Sequence, residues 1–250
     1  MTKIKMIIEY DGSHYHGYQK QANAAPTIQA ELEDGIQSLT GLKVKLTSAG
    51  RTDAGVHALG QVITFTSPAS IPPDRWAAAL NSVLPGDIRV LESKQVPVDF
   101  HPRFDAISKH YRYLIYRGQR GRIFLRRYAC IHDGVLDLSL MQEACSLIQG
   151  QHNFKAFCSS GSSVKSFERT VYRCSLTEKK DLLYMDIEAN GFLYNMVRII
   201  MGSLLEIGSG RMDIGDIEQA FTTGIRDHLG PTAPPQGLYL MGVDYGSRSD

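Results

Sequence analysis

The sequence predicts an α+β fold built from two ferredoxin-like halves, each with the element order β-α-β-β-α-β. Strand and helix patterns follow that order over about the first hundred residues, and the same order returns in the rest of the chain. The chain has 250 residues and 43% hydrophobic content, which is enough for one substantial core or two small packed units. The halves share no visible sequence identity, so the repeat is one of pattern only.

The first half begins with a strand that ends at the turn signal Asp11-Gly12. The helix that follows carries Ile28, Leu32 and Ile36 on one face, with Gly41 as its stop signal. In chain order, the predicted elements are a strand at 3–10, a helix at 26–40, strands at 43–48 and 61–66, a helix at 72–83 and a strand at 87–96.

The second half repeats this order with one additional short helix. Its predicted elements are a strand at 108–116, a helix at 138–148, hairpin strands at 169–177 and 182–189, helices at 192–207 and 214–221, and a strand at 237–245. We therefore predict an N-terminal half at 1–105 and a C-terminal half at 106–250.

The charge of the chain is uneven although its net charge is only +1. Residues 101–130 contain eight lysines and arginines against a single acidic residue, Asp105. A basic stripe of this kind is what phosphate binding requires, and the alternative is a solvated loop. The candidate RNA-backbone contacts are Arg120, Arg122, Arg126 and Arg127.

Cysteine spacing and hydropathy exclude several classes of protein. None of the four cysteines forms a C-x-x-C pair, which argues against a zinc site or a disulfide framework. His14 and His16 form an H-x-H without a third ligand nearby, so no metal site is predicted. The apolar run at the N-terminus is too short for a signal sequence, and no stretch approaches the roughly 20 apolar residues of a membrane span. A cytoplasmic protein is expected.

The most informative segment reads GRTDAGVHA at 50–58, between two predicted strands. Gly50 and Gly55 allow the backbone to turn tightly and to approach a ligand closely. Between them lie the cation of Arg51, a hydroxyl and the carboxylate of Asp53. No Gly-Lys-Ser/Thr follows, so the segment is not a P-loop. Asp53 is the candidate catalytic residue, and the alternative is a turn in which Asp53 caps its own backbone.

A second feature is the helix predicted at 192–207, which is apolar nearly all round and should be buried. Arg198 lies in its middle, and a buried guanidinium needs a carboxylate or several acceptors. Gly202 and Ser203, one turn further on, would let another backbone come close. Asp53 is the candidate partner of Arg198. The alternative is that Arg198 extends to the surface.

A third feature is the strand SKHYRY at 108–113. Alternation puts Lys109, Tyr111 and Tyr113 on one face, and His110 and Arg112 on the other. Cations beside aromatic side chains on a sheet can stack a base and hold phosphate, and the alternative is an ordinary half-buried strand.

These motifs resemble those of the tRNA pseudouridine synthase A family. GRTDAGVHA resembles the family signature, in which the aspartate is the catalytic nucleophile, and SKHYRY resembles the motif whose first tyrosine contacts the target uridine. Further resemblances follow in family order at 9–19, 191–210 and 230–240 and extend over nearly the whole chain. Tyr18 departs from the tryptophan found in many members but keeps an aromatic ring.

The resemblance implies an enzyme without a cofactor, with two RRM-like halves that share a mainly antiparallel sheet and a central cleft holding Asp53. It also implies a homodimer acting on tRNA at positions 38 to 40 of the anticodon stem-loop. Tyr111 would stack on the target uracil and Arg198 would keep Asp53 ionised. Arg51 would offset the extrusion of the base, with Lys109 as a further substrate contact.

The reaction breaks the bond from C1′ to N1, rotates the base and joins C1′ to C5. The sequence leaves three roles open for Asp53, namely attack on C1′, attack on C6 and removal of a C2′ proton. It also leaves two other functions open, a non-catalytic RNA-binding protein of this architecture and a pseudouridine synthase for another RNA site.

Overall fold

A computed structural model of the chain describes residues 1–21, 25–161 and 164–246. The chain divides into two compact units. Unit 1 is Met1–Ile107 together with the segment from Tyr239 onward, and unit 2 is Ser108–Leu238. Helices and mainly antiparallel strands occur in both, so the predicted α+β class is confirmed.

Unit 1 contains the predicted β-α-β-β-α-β order. Its elements are β1 (Thr2–Tyr10), α1 (Ile28–Thr40), β2 (Thr47–Ser48), β3 (His57–Ser67), α2 (Trp76–Asn81) and β4 (Ile88–Gln95). Strand β1 lies between β3 and β4 and is antiparallel to both, while β2 pairs with β3. Leu32 and Ile36 of α1 are fully buried, and Trp76 of α2 packs edge-on against Phe65 of β3.

Unit 2 has more elements than the pattern predicts. They are β5 (Ser108–Tyr116), α3 (Arg122–Leu125), β6 (Cys130–Ile131), α4 (Leu138–Ile148), β7 (Gly150–Asn153), β8 (Glu168–Lys179), β9 (Leu182–Ala189), α5 (Met196–Gly208) and α6 (Gly215–Thr223). Strand β9 lies between β5 and β8 and is antiparallel to both. Strand β7 pairs with β8, and β6 runs parallel to β5.

The last strand, β10 (Leu238–Asp244), returns the chain to unit 1. It runs parallel to β3, with Tyr239 opposite His57 and Leu240 opposite Ala58. The backbone N–H of Ile107 also donates to the carbonyl of Asp244 at 2.8 Å. This pairing is the reason that the segment from Tyr239 belongs with unit 1, whereas the predicted second half was continuous from 106 to 250.

Four elements, namely β2, β3, α2 and α5, begin four residues away from their predicted positions. Only Thr47–Ser48 of the strand predicted at 43–48 pairs with β3, and β3 itself begins at His57 instead of residue 61. Helix α5 begins at Met196 instead of residue 192. Asn195 has a left-handed backbone with φ of 62°, so the right-handed helix can start only after it. Within the described ranges, no helix combines the length and apolar character that a membrane crossing requires.

Candidate active site

The Asp53 loop joins β2 to β3 in unit 1. Asp53 is half-buried and Arg51 is exposed. The backbone N–H of Val56 donates to the Asp53 carbonyl at 3.1 Å, and Gly55 has a φ of 76°, which closes a tight turn immediately after the carboxylate. The loop therefore presents Asp53 from a turn and not from an extended strand.

Thr52, the residue before Asp53, is tied to two other parts of unit 1. Its hydroxyl lies 2.8 Å from the buried hydroxyl of Tyr10, and its carbonyl accepts from the backbone N–H of Tyr18 at 3.0 Å. Burial raises the pKa of Tyr10 to about 12, so this phenol is neutral near neutral pH. These contacts hold the backbone that carries Asp53.

The segment that follows β1, here called the first loop, contains Gly12 and Gly17. These two glycines allow the first loop to pack on the Asp53 loop. A Cβ at Gly12 would overlap the carbonyl of Val56, and a Cβ at Gly17 would stand 2.9 Å from the Thr52 carbonyl oxygen. Gly17 also has a φ of 90°, a backbone conformation that residues other than glycine rarely adopt. The two loops can approach this closely only because glycine occupies both positions.

His57 anchors the other end of the loop. It is almost fully buried, and its Nδ1 accepts from the backbone N–H of Gly12 at 3.1 Å. Asp11 Oδ1 lies 3.2 Å from the same nitrogen. The imidazole stacks on the ring of Tyr239 in β10, with centroids 4.7 Å apart. His57 thus joins the first loop, the Asp53 loop and the returning strand.

Gln61 completes this frame from within β3. Its side chain is fully buried and donates to the carbonyl of Gly50 at 2.9 Å, so the loop is also held at its beginning. A buried amide that bonds backbone across a loop is expensive to remove, because its partner would lose a hydrogen bond inside the protein. The frame therefore fixes the loop on both sides of Asp53.

In unit 2, Arg198 lies in the first turn of α5, not in the middle of the helix as predicted. The rest of the helix is buried nearly all round, as predicted. A cation in the first turn is disfavoured by the helix dipole, so it needs local acceptors. Arg198 Nε donates to the Ala233 carbonyl at 2.8 Å and Nη1 donates to Asn195 Oδ1 at 2.9 Å. Asn195 in turn donates to Ser159 Oγ at 2.9 Å.

Gly202 and Ser203 allow residues 229–234 to pack against α5, as the sequence predicts. A Cβ at Gly202 would overlap the Pro231 carbonyl, and the Gly230 N–H donates to the buried Ser203 hydroxyl at 3.0 Å. The backbone of this segment supplies the Ala233 carbonyl that orients Arg198. The same segment, residues 229–234, therefore packs closely against α5 and orients the Arg198 guanidinium.

The tyrosines of β5 lie in the same unit as Arg198. Tyr111 is buried and meets Phe192 edge to face, with ring centroids 5.1 Å apart. The Tyr113 hydroxyl donates to the Pro234 carbonyl at 2.7 Å, next to the carbonyl that binds Arg198. Lys109 is half-buried on the same strand.

His110 and Arg112 share a carboxylate on β9, in agreement with their predicted common face. Arg112 forms two hydrogen bonds with Asp186, at 2.9 and 3.1 Å, and His110 Nε2 lies 2.6 Å from Asp186 Oδ1. Burial would raise the pKa of Asp186, but these hydrogen bonds outweigh it and lower the pKa to about 2. This cluster joins β5 to β9.

The arginines of the basic stripe differ in their surroundings. Arg122 pairs with Asp133 and donates from Nε to the Gly118 carbonyl at 2.8 Å. Arg120, Arg126 and Arg127 are exposed. In the part of the chain that the structure describes, no group of three or more His, Cys, Asp or Glu side chains is arranged to hold a metal ion.

Several residues that shape the site were not predicted from the sequence. Tyr10, Thr52 and Gln61 form a polar network inside unit 1, and Asn195 orients Arg198. The only local signal for Gln61 is an amide at the start of an apolar strand. Asn195 has a clearer signal, because asparagine is one of the few residues that tolerate a left-handed backbone before a helix.

Comparisons with known proteins confirm the resemblance. Residues 6–105 and 144–246 match the tRNA pseudouridine synthase family. The chain is 53% identical over 249 residues to tRNA pseudouridine synthase A of Syntrophomonas wolfei subsp. wolfei, and the alignment covers 100% of both chains. It is 48% identical to tRNA pseudouridine synthase A of Acetivibrio thermocellus, over 98% of this chain and 100% of that one. The chain therefore belongs to the tRNA pseudouridine synthase family.

Proposed function

We propose that the chain converts uridine to pseudouridine in the anticodon stem-loop of tRNA, at positions 38 to 40, with Asp53 as the nucleophile and without a cofactor. Membership of the family supports the isomerisation of uridine in tRNA. The stem-loop is supported by the resemblance of the five sequence motifs. The observation that carries the role of Asp53 is the frame of buried side chains that holds its loop on both sides.

The frame supports catalysis because a nucleophile must be held in a fixed position relative to the reacting carbon. A displacement of about 1 Å can lower a rate by roughly a hundredfold. Tyr10 and Gln61 restrain the backbone before Asp53, and His57 restrains the backbone after it. A turn with a merely structural role has no need of three buried polar anchors, each of which is costly to bury.

We assign Arg198 as the cation that keeps Asp53 ionised, and Tyr111, Lys109 and Arg51 as contacts of the substrate. The Ala233 carbonyl and Asn195 fix the direction of the Arg198 guanidinium, which suits a group that must meet a carboxylate or a substrate oxygen at one place. The pairing of Asp53 with Arg198 stays a prediction. Arg120, Arg122, Arg126 and Arg127 are the proposed phosphate contacts.

A tritium-release assay tests this function. Uridine labelled at C5 in a tRNA transcript should lose its tritium when C1′ joins C5, and mapping of the product should place pseudouridine at positions 38 to 40. Asp53→Asn is nearly isosteric but lacks the carboxylate, so release should fall below detection while affinity for tRNA changes little.

The matched control is Asp74→Asn, which changes an exposed carboxylate in the same unit and should release tritium at the normal rate. Turnover by purified Asp53→Asn would refute the role of Asp53. Release together with pseudouridine at other positions would leave the reaction in place and replace the stem-loop with another site. Tight tRNA binding without any release would identify a binding protein.

We also propose that the protein is a cytoplasmic homodimer. The dimer is supported by the resemblance to the family, and sedimentation velocity tests it. The cytoplasm is supported by Cys130, Cys145, Cys158 and Cys174, all of which are free thiols, as expected in a reducing compartment.

A further inference from the structure

The α3 segment, residues 117–129, exposes two large apolar side chains. Ile123 is 71% exposed and Phe124 is 82% exposed. Single exposed apolar residues are common on proteins, but two adjacent ones in a short helix form a patch that favours a binding surface. The reaction chemistry proposed for Asp53 makes no use of either residue.

The α3 segment is held by its surroundings, so this exposure is a property of the fold. The Tyr116 hydroxyl donates to the Arg120 carbonyl, and the Arg117 N–H donates to the Asp181 carbonyl at 2.8 Å. Arg122 bonds the Gly118 carbonyl and pairs with Asp133. These bonds hold the backbone that carries Phe124 in place. Less conformational entropy is therefore lost when a ligand binds the segment.

The charge around Phe124 indicates the kind of ligand. Residues 117–129 contain five arginines and no acidic residue. Arg117 pairs with Glu178 and Arg122 with Asp133, while Arg120, Arg126 and Arg127 are exposed beside the apolar pair. An aromatic face within a purely basic segment is complementary to a ligand with both a planar apolar group and negative charge. An unstacked nucleotide in RNA has both.

We propose that Phe124 stacks on an unpaired base of the tRNA substrate, with Ile123 beside it and Arg120, Arg126 and Arg127 on the flanking phosphates. The identity of the RNA as tRNA rests on the proposed function. The arginines supply attraction that any RNA would feel, whereas Phe124 requires a base that has left its helix. The α3 segment thereby distinguishes loops from duplex RNA.

Phe124→Ala tests the stacking. One base–aromatic stack is worth roughly 1 to 3 kcal/mol, so tRNA affinity should fall by about 5- to 150-fold. The rate of tritium release at saturating tRNA should fall much less than the affinity, because the group acts in binding. Val98→Ala, which truncates another exposed apolar side chain in unit 1, is the control and should bind tRNA normally.

A fluorescent variant reports the contact directly. The single tryptophan of the chain, Trp76, is buried, so a tryptophan placed at residue 124 is the only one accessible to a ligand within the described residues. In the Phe124→Trp variant, an anticodon stem-loop RNA should quench the new emission, and a blunt RNA duplex with the same number of phosphates should not. Val98→Trp is the control and should not be quenched by either RNA.

Equal quenching by the stem-loop and the duplex would overturn the proposal, as would normal tRNA affinity in Phe124→Ala. If Phe124→Ala instead dissociates a dimer in sedimentation while its affinity for tRNA is unchanged, the patch belongs to an interface with a second copy and the proposal fails. Failure of the proposed function has a different signature. The wild type would then release no tritium, while the Phe124→Trp variant would still be quenched by the stem-loop.

Discussion

Thr52, the residue before Asp53, bonds two distant parts of the sequence. Its hydroxyl bonds the buried phenol of Tyr10, 42 residues away, and its carbonyl bonds the backbone of Tyr18. The side chain proposed to perform the chemistry is thus placed by its neighbours, none of which has to touch the substrate. Substitutions at those neighbours should alter the rate more than the binding of tRNA.

Tyr10→Phe removes the phenol hydroxyl and leaves the Thr52 hydroxyl buried without it. We expect the free energy of unfolding to fall by about 1 to 3 kcal/mol. The single-turnover rate of tritium release should fall by roughly 10- to 100-fold, with tRNA affinity within a factor of two or so. Tyr172→Phe, an exposed tyrosine on β8, is the control. A normal rate in Tyr10→Phe would show that the frame does not position Asp53.

Asn195→Gly removes the amide that bonds both Arg198 and Ser159. Glycine accepts the left-handed backbone at residue 195 without strain, so the main loss is the amide that orients the guanidinium. We expect single-turnover release to fall by about tenfold or more, because Arg198 then samples several directions. The measurement uses saturating tRNA, which separates the rate from affinity.

Lys180→Gly is the matched control, because Lys180 is the other non-glycine residue with positive φ among those described, and it lies in the turn between β8 and β9. Both substitutions make the same change in backbone freedom, but only one touches Arg198. Similar rates in the two variants would contradict a role for Asn195.

The elements of unit 2 are joined by charged contacts as well as by packing. Arg112 of β5 stands opposite Asp186 of β9 in the strand register, and His110 reaches the same carboxylate from two residues away. Asp186 is buried between the half-buried side chains of His110 and Arg112, and its carboxylate has a pKa of about 2 compared with an ordinary value of 3.8. Ionised Asp186 therefore stabilises the folded protein above about pH 4, and this gain is lost as the pH falls toward 2.

Asp186→Asn should lower the free energy of unfolding by about 2 kcal/mol at pH 7, which is the size of this pKa difference in energy. The difference from the wild type should shrink to roughly half at pH 3, because the Asp186 carboxyl group of the unfolded chain, with its ordinary pKa of 3.8, is then mostly protonated. Urea unfolding at both pH values measures it. Asp74→Asn, an exposed carboxylate, should show little change at either pH, and a pH-independent loss in Asp186→Asn would contradict the charge-based origin.

Local patterns predicted some elements completely and others only in part. The bounds of β5, α4 and β9 match the sequence, because each has clear periodicity and an obvious turn or cap at its ends. Strand β3 begins earlier than predicted, since its first residue is His57, a polar residue that is buried through contacts with other segments. Alternation of polar and apolar residues cannot identify a polar side chain whose partner lies elsewhere in the chain.

At the scale of the whole molecule, net charge says little about RNA, because the total is only +1. The affinity must come from where the arginines are placed. The sequence located this stripe, but it could not show that Arg122 already pairs with Asp133, since the pair depends on how residues 117–133 fold. Exposed Arg120 should therefore contribute more to RNA binding than Arg122.

Arg120→Ala and Arg127→Ala should each reduce the slope of log K against log salt by about 0.7 to 0.9. The reduction should be smaller for Arg122→Ala, whose guanidinium already has a carboxylate partner. Titration of tRNA at several salt concentrations gives the slopes, with Arg75→Ala as an exposed control outside the stripe. Unchanged slopes in all of the stripe variants would assign these arginines to solvent.

The return of β10 to β3 is the feature of the whole fold that no local pattern encodes. It depends on the register between His57 and Tyr239, which lie far apart in the sequence, and on the stacking of their rings. The predicted division at residue 105 follows the order of elements along the chain. The structural division follows strand pairing, and it differs from the predicted one mainly in the segment from Tyr239 onward, besides a boundary after Ile107 instead of residue 105.

This return also affects how the protein is made. During translation, residues 1–107 have left the ribosome when unit 2 begins to emerge. At that stage β3 still lacks β10, whose Tyr239 stacks on His57. Residues 108–238 must be translated before residue 239 can reach that edge. A nascent chain stalled anywhere in unit 2 would thus hold the Asp53 loop with one anchor incomplete, so full support of the proposed nucleophile has to wait until β10 has been translated.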